Sequence, residues 1–228
     1  MMTILEKYKQ LNLEIEKIAG RCGRNKDEIR VIAVTKYVDT VTTKEALDAG
    51  LEHIGENRVE GGVEKWEQLG ERGNWHFIGS LQTKKVKKVI DKYDYFHSLD
   101  RLSLAEELDK RSNKKVSCFV QVNVSQEESK SGISEIELIP FIEKLAEYPS
   151  IEVVGLMTMA PFYQNPERTR PIFRQLRELR DQVQSLGYRH APCKELSMGM
   201  SNDYSIAIEE GATFIRIGTA LVGNPLKN

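Results

Sequence analysis

Two features of this chain could do chemistry together: an amine at the end of an apolar run, and a pair of small-residue loops near the other end. The run is Val31-Ile32-Ala33-Val34-Thr35-Lys36, which reads as the first strand of an α/β domain. A lysine at a strand's carboxyl end faces the crevice where such folds bind ligands. Partly shielded from water, its amine is a nucleophile able to form a Schiff base with an aldehyde. The same position also suits a lysine that lays its stem on apolar surface and keeps its ammonium in solvent. The loops are Leu196-Ser197-Met198-Gly199-Met200-Ser201 and Ile215-Arg216-Ile217-Gly218-Thr219. Backbone N–H groups near Gly218 and Thr219 could donate to phosphate oxygens, with the Ser201 hydroxyl as a further donor. Tight turns with capping serines have the same composition. Arg216 precedes Gly218 by two residues, so strand alternation puts both on one face. It reads either as a structural ion pair or as a permanently charged donor that cannot accept a proton.

An aldehyde-reactive amine and a phosphate cradle on one face match the two ends of pyridoxal 5′-phosphate. An arginine against the pyridine nitrogen of that cofactor would keep the nitrogen unprotonated and weaken the ring as an electron sink. An aspartate would do the opposite.

These residues need a scaffold that brings both ends of the chain to one face. After an amphipathic opening helix marked by Leu5, Leu11, Leu13, Ile15 and Ile18, ending before Gly20 and Gly23, strand-like and helix-like segments alternate to the end. The strand candidates are Val31–Lys36, His53–Gly55, Trp75–Ile78, Tyr95–Ser98, Ser117–Val124, Val153–Met159, Glu195–Ser197 and Phe214–Ile217. Eight strands in a βα repeat predict an α/β fold, a single TIM-type (β/α)8 barrel over residues 1–228 with an extra N-terminal helix. An open doubly wound sheet is the alternative, but no Gly-x-Gly-x-x-Gly follows the first strand. Thr42-x-x-Glu45 and Ser134-x-x-Glu137 read as capping boxes, and Asn165-Pro166 as an N-cap with proline at the first helical position. Gly187 suits the C-terminus of the long helix that follows. Pro140 is at odds with the helix opened by Ser134, which is either kinked or begins later.

Composition narrows the function classes. The 228 residues hold 33 Lys+Arg against 34 Asp+Glu, so no global field argues for nucleic acid or an anionic membrane. Three widely spaced cysteines, Cys22, Cys118 and Cys193, lack metal spacing and suggest reduced packing residues in a cytoplasmic protein. No apolar run approaches membrane-spanning length. His53, His76, His97 and His190 share no helical i, i+4 pair, so packing or hydrogen-bonding roles are expected and no metal. The basic stretch Lys84, Lys85, Lys87, Lys88 and Lys92 reads as a solvated helix face rather than a nucleic-acid surface, since aromatic interleaving is sparse.

Ile-Ala-Val-Thr-Lys ending at Lys36, Gly-Glu-Asn at 55–57, His-Phe-Ile-Gly-x-Leu-Gln at 76–82, Gly-Leu-Met-Thr-Met at 155–159, Leu-Ser-Met-Gly-Met-Ser-x-Asp at 196–203 and Arg-Ile-Gly-Thr at 216–219 closely resemble the YggS/PROSC family. The resemblance runs from about Val31 to Gly223. It implies a single barrel similar to the N-terminal domain of alanine racemase, pyridoxal 5′-phosphate as cofactor, and a role in vitamin B6 balance. By motif, it implies Lys36 as the Schiff-base lysine, Arg216 as partner of the pyridine nitrogen, and Ser201, Gly218 and Thr219 as phosphate binders. Ser197 is expected beneath Arg216, with Asn57 and Met157 near the ring. Lys84 stands where the family usually has asparagine, and Leu221-Val-Gly-Asn224 replaces an aromatic-Gly-x-Arg end; neither touches the expected cofactor positions.

Holding the cofactor without turnover is the expected activity, with a small amino-acid racemase as the alternative. Racemisation needs a second proton-transfer group opposite the lysine, which alanine racemase takes from an additional domain of its partner subunit. The chain ends immediately after the eighth strand, which leaves Tyr37, Tyr163 and Tyr204 as the local substitutes. The expected partners are pyridoxal 5′-phosphate and, with it, cofactor-dependent apo-enzymes; a monomer is expected.

Overall fold

Parallel strands buried on both faces read as apolar runs because neither side meets water, and all eight candidates form strands in a computed structural model that describes residues 2–127 and 131–223. They are β1 (Arg30–Val34), β2 (His53–Glu56), β3 (Asn74–Phe77), β4 (Tyr95–Leu99), β5 (Val116–Gln121), β6 (Ile151–Met157), β7 (Glu195–Met200) and β8 (Phe214–Ile217). Each pairs in parallel with its neighbour, and β8 pairs with β1 to close the barrel. The register sets Ile32 beside both His53 and Arg216, and Met200 beside Arg216. The α-helices are α1 (Ile4–Arg21), α2 (Thr40–Asp48), α3 (Val59–Leu69), α4 (Leu102–Arg111), α5 (Glu135–Leu145), α6 (Arg170–Ser185), α7 (Tyr204–Glu209) and α8 (Thr219–Val222). The added helix α1 lies against α7 and α8, where Tyr204 Oη donates to Glu14 at 2.6 Å.

Several local expectations are corrected. Helix α1 runs through Gly20 and ends at a Cys22 cap, with Gly23 left-handed at φ +69°. Helix α2 is capped by Asp39, whose carboxylate accepts from the Thr42 N–H at 2.8 Å, so Thr42 is inside the helix rather than its cap. The Ser134–Glu137 capping box forms as expected and α5 continues through Pro140. The carbonyl that Pro140 leaves without an intrahelical donor belongs to Ile136, whose side chain is 90% exposed, so water can serve it. Asn165 caps a 3-10 turn, Pro166–Thr169, ahead of α6, and Gly187 at φ +66° follows its end. Between β3 and β4 the basic stretch forms a 3-10 helix, Thr83–Lys88, in place of an α-helix. Val86, Val89 and Ile90 are buried, Lys85 pairs with Glu60 at 2.8 Å, and Lys92 lies 4.2 Å over the Trp66 ring. Cys118 and Cys193 are buried with their thiols free. Among the described residues no helix is long and apolar enough to cross a membrane.

The main core lies between the barrel's outer face and its helices. A separate cluster of Ile32, Phe119, Met157 and Phe214 fills the barrel interior, and it shares that space with three histidines. The His76 ring lies 5.5 Å from Phe214 across the barrel, and His97 stacks at 4.3 Å on Phe119 of the neighbouring strand. The rings are joined to one another: His53 Nδ1 to His76 Nε2 at 2.9 Å and His76 Nδ1 to His97 Nε2 at 2.8 Å. Burial holds His53 down to about 4, with the Arg30 charge adding to it. His76 and His97 are held well below the ordinary imidazole range, again chiefly by burial and then by neighbouring cationic forms.

A second buried polar group lies under the turn after β1. Lys65 Nζ, on α3, donates to Glu56 Oε1 and to the Thr35 carbonyl, each at 2.6 Å, while the Thr35 hydroxyl donates to the same Glu56 oxygen at 2.6 Å. Both charged side chains are under 10% exposed. A buried ion pair adds little net stability, but removing one partner strands the other charge.

Two outcomes are expected. Lys65→Met should cost about 3–5 kcal/mol in urea unfolding, with part recovered when Glu56→Gln is added; a loss under about 1 kcal/mol would show that Glu56 is already satisfied without the lysine. The histidines bind protons in the unfolded chain at their ordinary value of 6.5 but, for His53, only near 4 when folded. Their contribution to stability is therefore complete above about pH 6.5 and lost as pH falls toward about 4. The urea midpoint should drop between pH 7 and pH 5, and a flat midpoint across that window would be incompatible with neutral rings.

Candidate functional site

The carboxyl ends of the strands open into a cleft of about 500 Å³. Its lining includes Lys36, Asn57, Arg216, Ser201, Gly218 and Thr219, so six of the eight residues expected from the sequence come together. Lys36 is two residues beyond β1 rather than on it. It emerges on a turn closed by the Val38 N–H donating to the Thr35 carbonyl at 3.1 Å. That carbonyl is the one held by Lys65, so the buried Glu56–Lys65 pair fixes the backbone from which the amine projects. The Lys36 Nζ lies 4.9 Å over the Tyr37 ring.

Across the cleft, the phosphate-sized end is built from the β7 and β8 loops. Gly199 has φ +91°, and a Cβ there would come within 2.5 Å of Ala207 Cβ, so only glycine lets the loop turn this closely over α7. Asp203 folds back under the loop and accepts from the Met200 N–H at 2.6 Å. Burial raises its carboxyl above the ordinary range, against the Met200 N–H and the Arg216 charge. Ser201 and Thr219 are exposed at the cleft. Gly218 is the N-cap of α8, so no side chain of that residue caps the first N–H groups of the turn.

Arg216 is the floor between these ends. It is 5% exposed, and its pKa is pushed down to about 10 by burial, with Asp203 acting the other way. It stays cationic at neutral pH. Among the described residues it has no carboxylate within ion-pair distance, which sets aside the structural ion pair. Its hydrogen bonds are to neutral acceptors, Nη1 to Ser197 Oγ at 2.6 Å and Nη2 to the Thr158 carbonyl at 2.8 Å. A guanidinium carries five N–H donors, and Arg216 lines the cleft. Asn57 adds a complementary signal: its Oδ1 is buried without a hydrogen-bond partner, although the residue lines the cleft. A donor-hungry amide oxygen, an unneutralised guanidinium, an uncapped helix start and an amine are the groups that a phosphorylated pyridine aldehyde would engage, so the residues fit pyridoxal 5′-phosphate.

Two expected residues lie below the cleft. Ser197 is fully buried beneath Arg216, as expected, and touches His97 Nδ1 at 3.0 Å. Met157 is corrected: it does not line the cleft but is 1% exposed in the interior cluster with Ile32, Phe119 and Phe214, because its place at the end of β6 points it inward beneath the cleft floor. The histidine chain, the Glu56–Lys65 pair and Asp203 were not assigned from the sequence. A histidine on each of β2, β3 and β4 was the available signal for the first; nothing in the nine-residue spacing of Glu56 and Lys65 marks the second. Among the described residues no group of His, Cys, Asp and Glu is arranged to hold a metal ion. Of the three tyrosines, Tyr37 is beside Lys36, Tyr163 packs under Arg168 at 4.3 Å, and Tyr204 is bonded to Glu14 on α1.

Comparison with known proteins gives the family and the fold. The pyridoxal phosphate homeostasis protein of Aquifex aeolicus is 42% identical over 226 residues, covering 97% of this chain and 98% of that protein. The structure of PipY from Synechococcus elongatus with PLP bound superposes with a TM-score of 0.79 at 31% identity, covering 92% of this chain and 99% of that one. Alanine racemase from Corynebacterium glutamicum shares the fold at a TM-score of 0.73 and 16% identity, covering 95% of this chain and 61% of that one. The alanine racemase N-terminal domain family matches residues 9–225, and this chain belongs to it.

Proposed function

We propose that this chain binds pyridoxal 5′-phosphate in the cleft, anchors its aldehyde covalently on Lys36, and serves intracellular vitamin B6 balance by holding and releasing the cofactor without turnover. The observation that carries this reading is a buried Arg216 with neutral acceptors only, set in one cleft with an amine and a phosphate-sized cradle. The naming of the Aquifex aeolicus relative and the PLP bound to PipY support it.

When bound, the cofactor supplies a reactive aldehyde and an electron-withdrawing ring. Lys36 would condense with the aldehyde, whose oxygen leaves as water, from a turn that Thr35, Glu56 and Lys65 tie down. Ser201, Gly218 and Thr219 would donate to the phosphate, and the Asn57 amide would meet the polar edge of the ring. Arg216, a pure donor, would face the pyridine nitrogen and leave it unprotonated, so the residue that would orient the ring would also restrain carbanion chemistry. The racemase alternative needs an acid/base group on the face opposite Lys36. The position of Tyr37 beside the lysine and the engagement of Tyr204 with Glu14 favour the holding reading.

Incubation with excess pyridoxal 5′-phosphate followed by borohydride reduction should fix one cofactor mass on the Lys36 peptide, and Lys36→Ala should abolish it. An unlabelled wild-type protein would sink the proposal. In deuterium oxide, the loaded protein should leave amino-acid α-protons at the rate set by free cofactor; sustained exchange that depends on Lys36 would favour the racemase.

A further inference from the structure

The imidazole chain that ends on Ser197 has a direction, and its donors and acceptors determine which. Arg216 can only donate, so its Nη1–H occupies Ser197 Oγ at 2.6 Å. The serine then has its own hydroxyl proton to donate, and its other side-chain contact is His97 Nδ1 at 3.0 Å. Donation there makes Nδ1 the acceptor and leaves the His97 proton on Nε2. His97 Nε2–H then donates to His76 Nδ1 at 2.8 Å, and His76 Nε2–H to His53 Nδ1 at 2.9 Å. His53, 8% exposed, ends the chain with its own Nε2–H.

The reverse direction fails on two counts. His97 and Arg216 would both donate to Ser197, leaving the hydroxyl proton without an acceptor among the described contacts. Every N–H dipole would also present its positive end to a buried guanidinium. In the forward direction each lone pair faces the cation, and hydrogen bonds in a chain polarise one another in the same sense. The low proton affinity of all three rings, set chiefly by burial, is what such a chain requires.

We propose that His97, His76 and His53 form a one-way chain of neutral Nε2–H tautomers that makes Ser197 a fixed acceptor for Arg216, with His97 and His76 as positioning residues for the group that meets the ring nitrogen. Only the ring-nitrogen clause rests on the proposed cofactor. A carboxylate would hold the guanidinium as firmly but would cancel its charge; aligned neutral dipoles hold it and leave the charge directed at the cleft.

The test is a long-range 1H–15N correlation of the histidine side chains at pH 7 in the protein without cofactor. His190 is identified by its loss in His190→Gln. His97, His76 and His53 should each show a protonated Nε2 and a bare Nδ1. A protonated Nδ1 on His97 or His76, or an imidazolium at any of the three, overturns the chain. His76→Phe then cuts it one ring short of His97: the His97 signals should move to a mixture of tautomers, and the visible absorption maximum of pyridoxal-phosphate-loaded protein should shift from wild type. An unmoved maximum in loaded His76→Phe overturns the positioning role. Should that variant not fold, the tautomers of the unmutated protein still decide the direction, and His97→Gln supplies the spectrum. A wild-type protein with the expected tautomers that takes up no pyridoxal phosphate supports the chain and overturns the cofactor reading instead.

Discussion

A guanidinium buried at the carboxyl end of the barrel, without a carboxylate to neutralise it, sets the terms for what surrounds it. Burying an isolated charge is expensive, and proteins ordinarily pair it. Here Arg216 is stabilised by a serine hydroxyl and a backbone carbonyl, while Asp203 contributes from a distance and is committed to the Met200 N–H. That arrangement requires the serine to be a dependable acceptor, which in turn requires something polar beneath it. A barrel interior filled only by residues such as Ile32, Phe119 and Phe214 could not supply that, and the histidines on β2, β3 and β4 do.

Lys36 presents the opposite problem. Its amine must be free to react, so its position has to be imposed through the backbone rather than through partners of its own. The Glu56–Lys65 pair does this by gripping both polar groups of Thr35, the carbonyl and the hydroxyl. The pair's net energy is small by comparison with two leucines in the same space, but apolar side chains could not specify one turn geometry. Reactive groups on both sides of the cleft are therefore placed by buried polar networks that do not themselves reach the cavity.

The sequence was most legible where burial is two-sided and local. All eight strands were visible as short segments with buried apolar residues between turn and helix signals, and Lys36, Ser201, Gly218 and Thr219 drew notice because they follow such segments, Arg216 because it lies within one. Legibility failed where the deciding contact lies far along the chain. His97 and Ser197 are a hundred residues apart and meet only because the barrel closes. Met157 follows the strand pattern, but whether an end residue reaches the cleft or fills the floor below depends on barrel stagger, which periodicity does not encode. The cap of α2 shows a smaller failure: Thr42 and Asp39 are both good caps, and the turn that positions Lys36 decides between them.

Fold alone does not separate holding from catalysis, since alanine racemase at 16% identity has the same barrel. The separation lies in what the cleft does to water and to the ring. Tyr37, Met159, Phe162 and Met200 line the cavity and remain 36–77% exposed, forming an apolar rim around the amine. On the proposed reading, a rim of that kind would limit the access of water to an imine at Lys36, yet leave the mouth open for the cofactor to depart. A catalyst gains from closing over its substrate and from a ring nitrogen that accepts a proton. Placed at a pyridine nitrogen, as proposed, Arg216 would offer it no acidic proton, and its positive charge would attract a phosphate-bearing ligand. On the proposed reading, the cation that would hold the ring is also the one that would restrain carbanion chemistry.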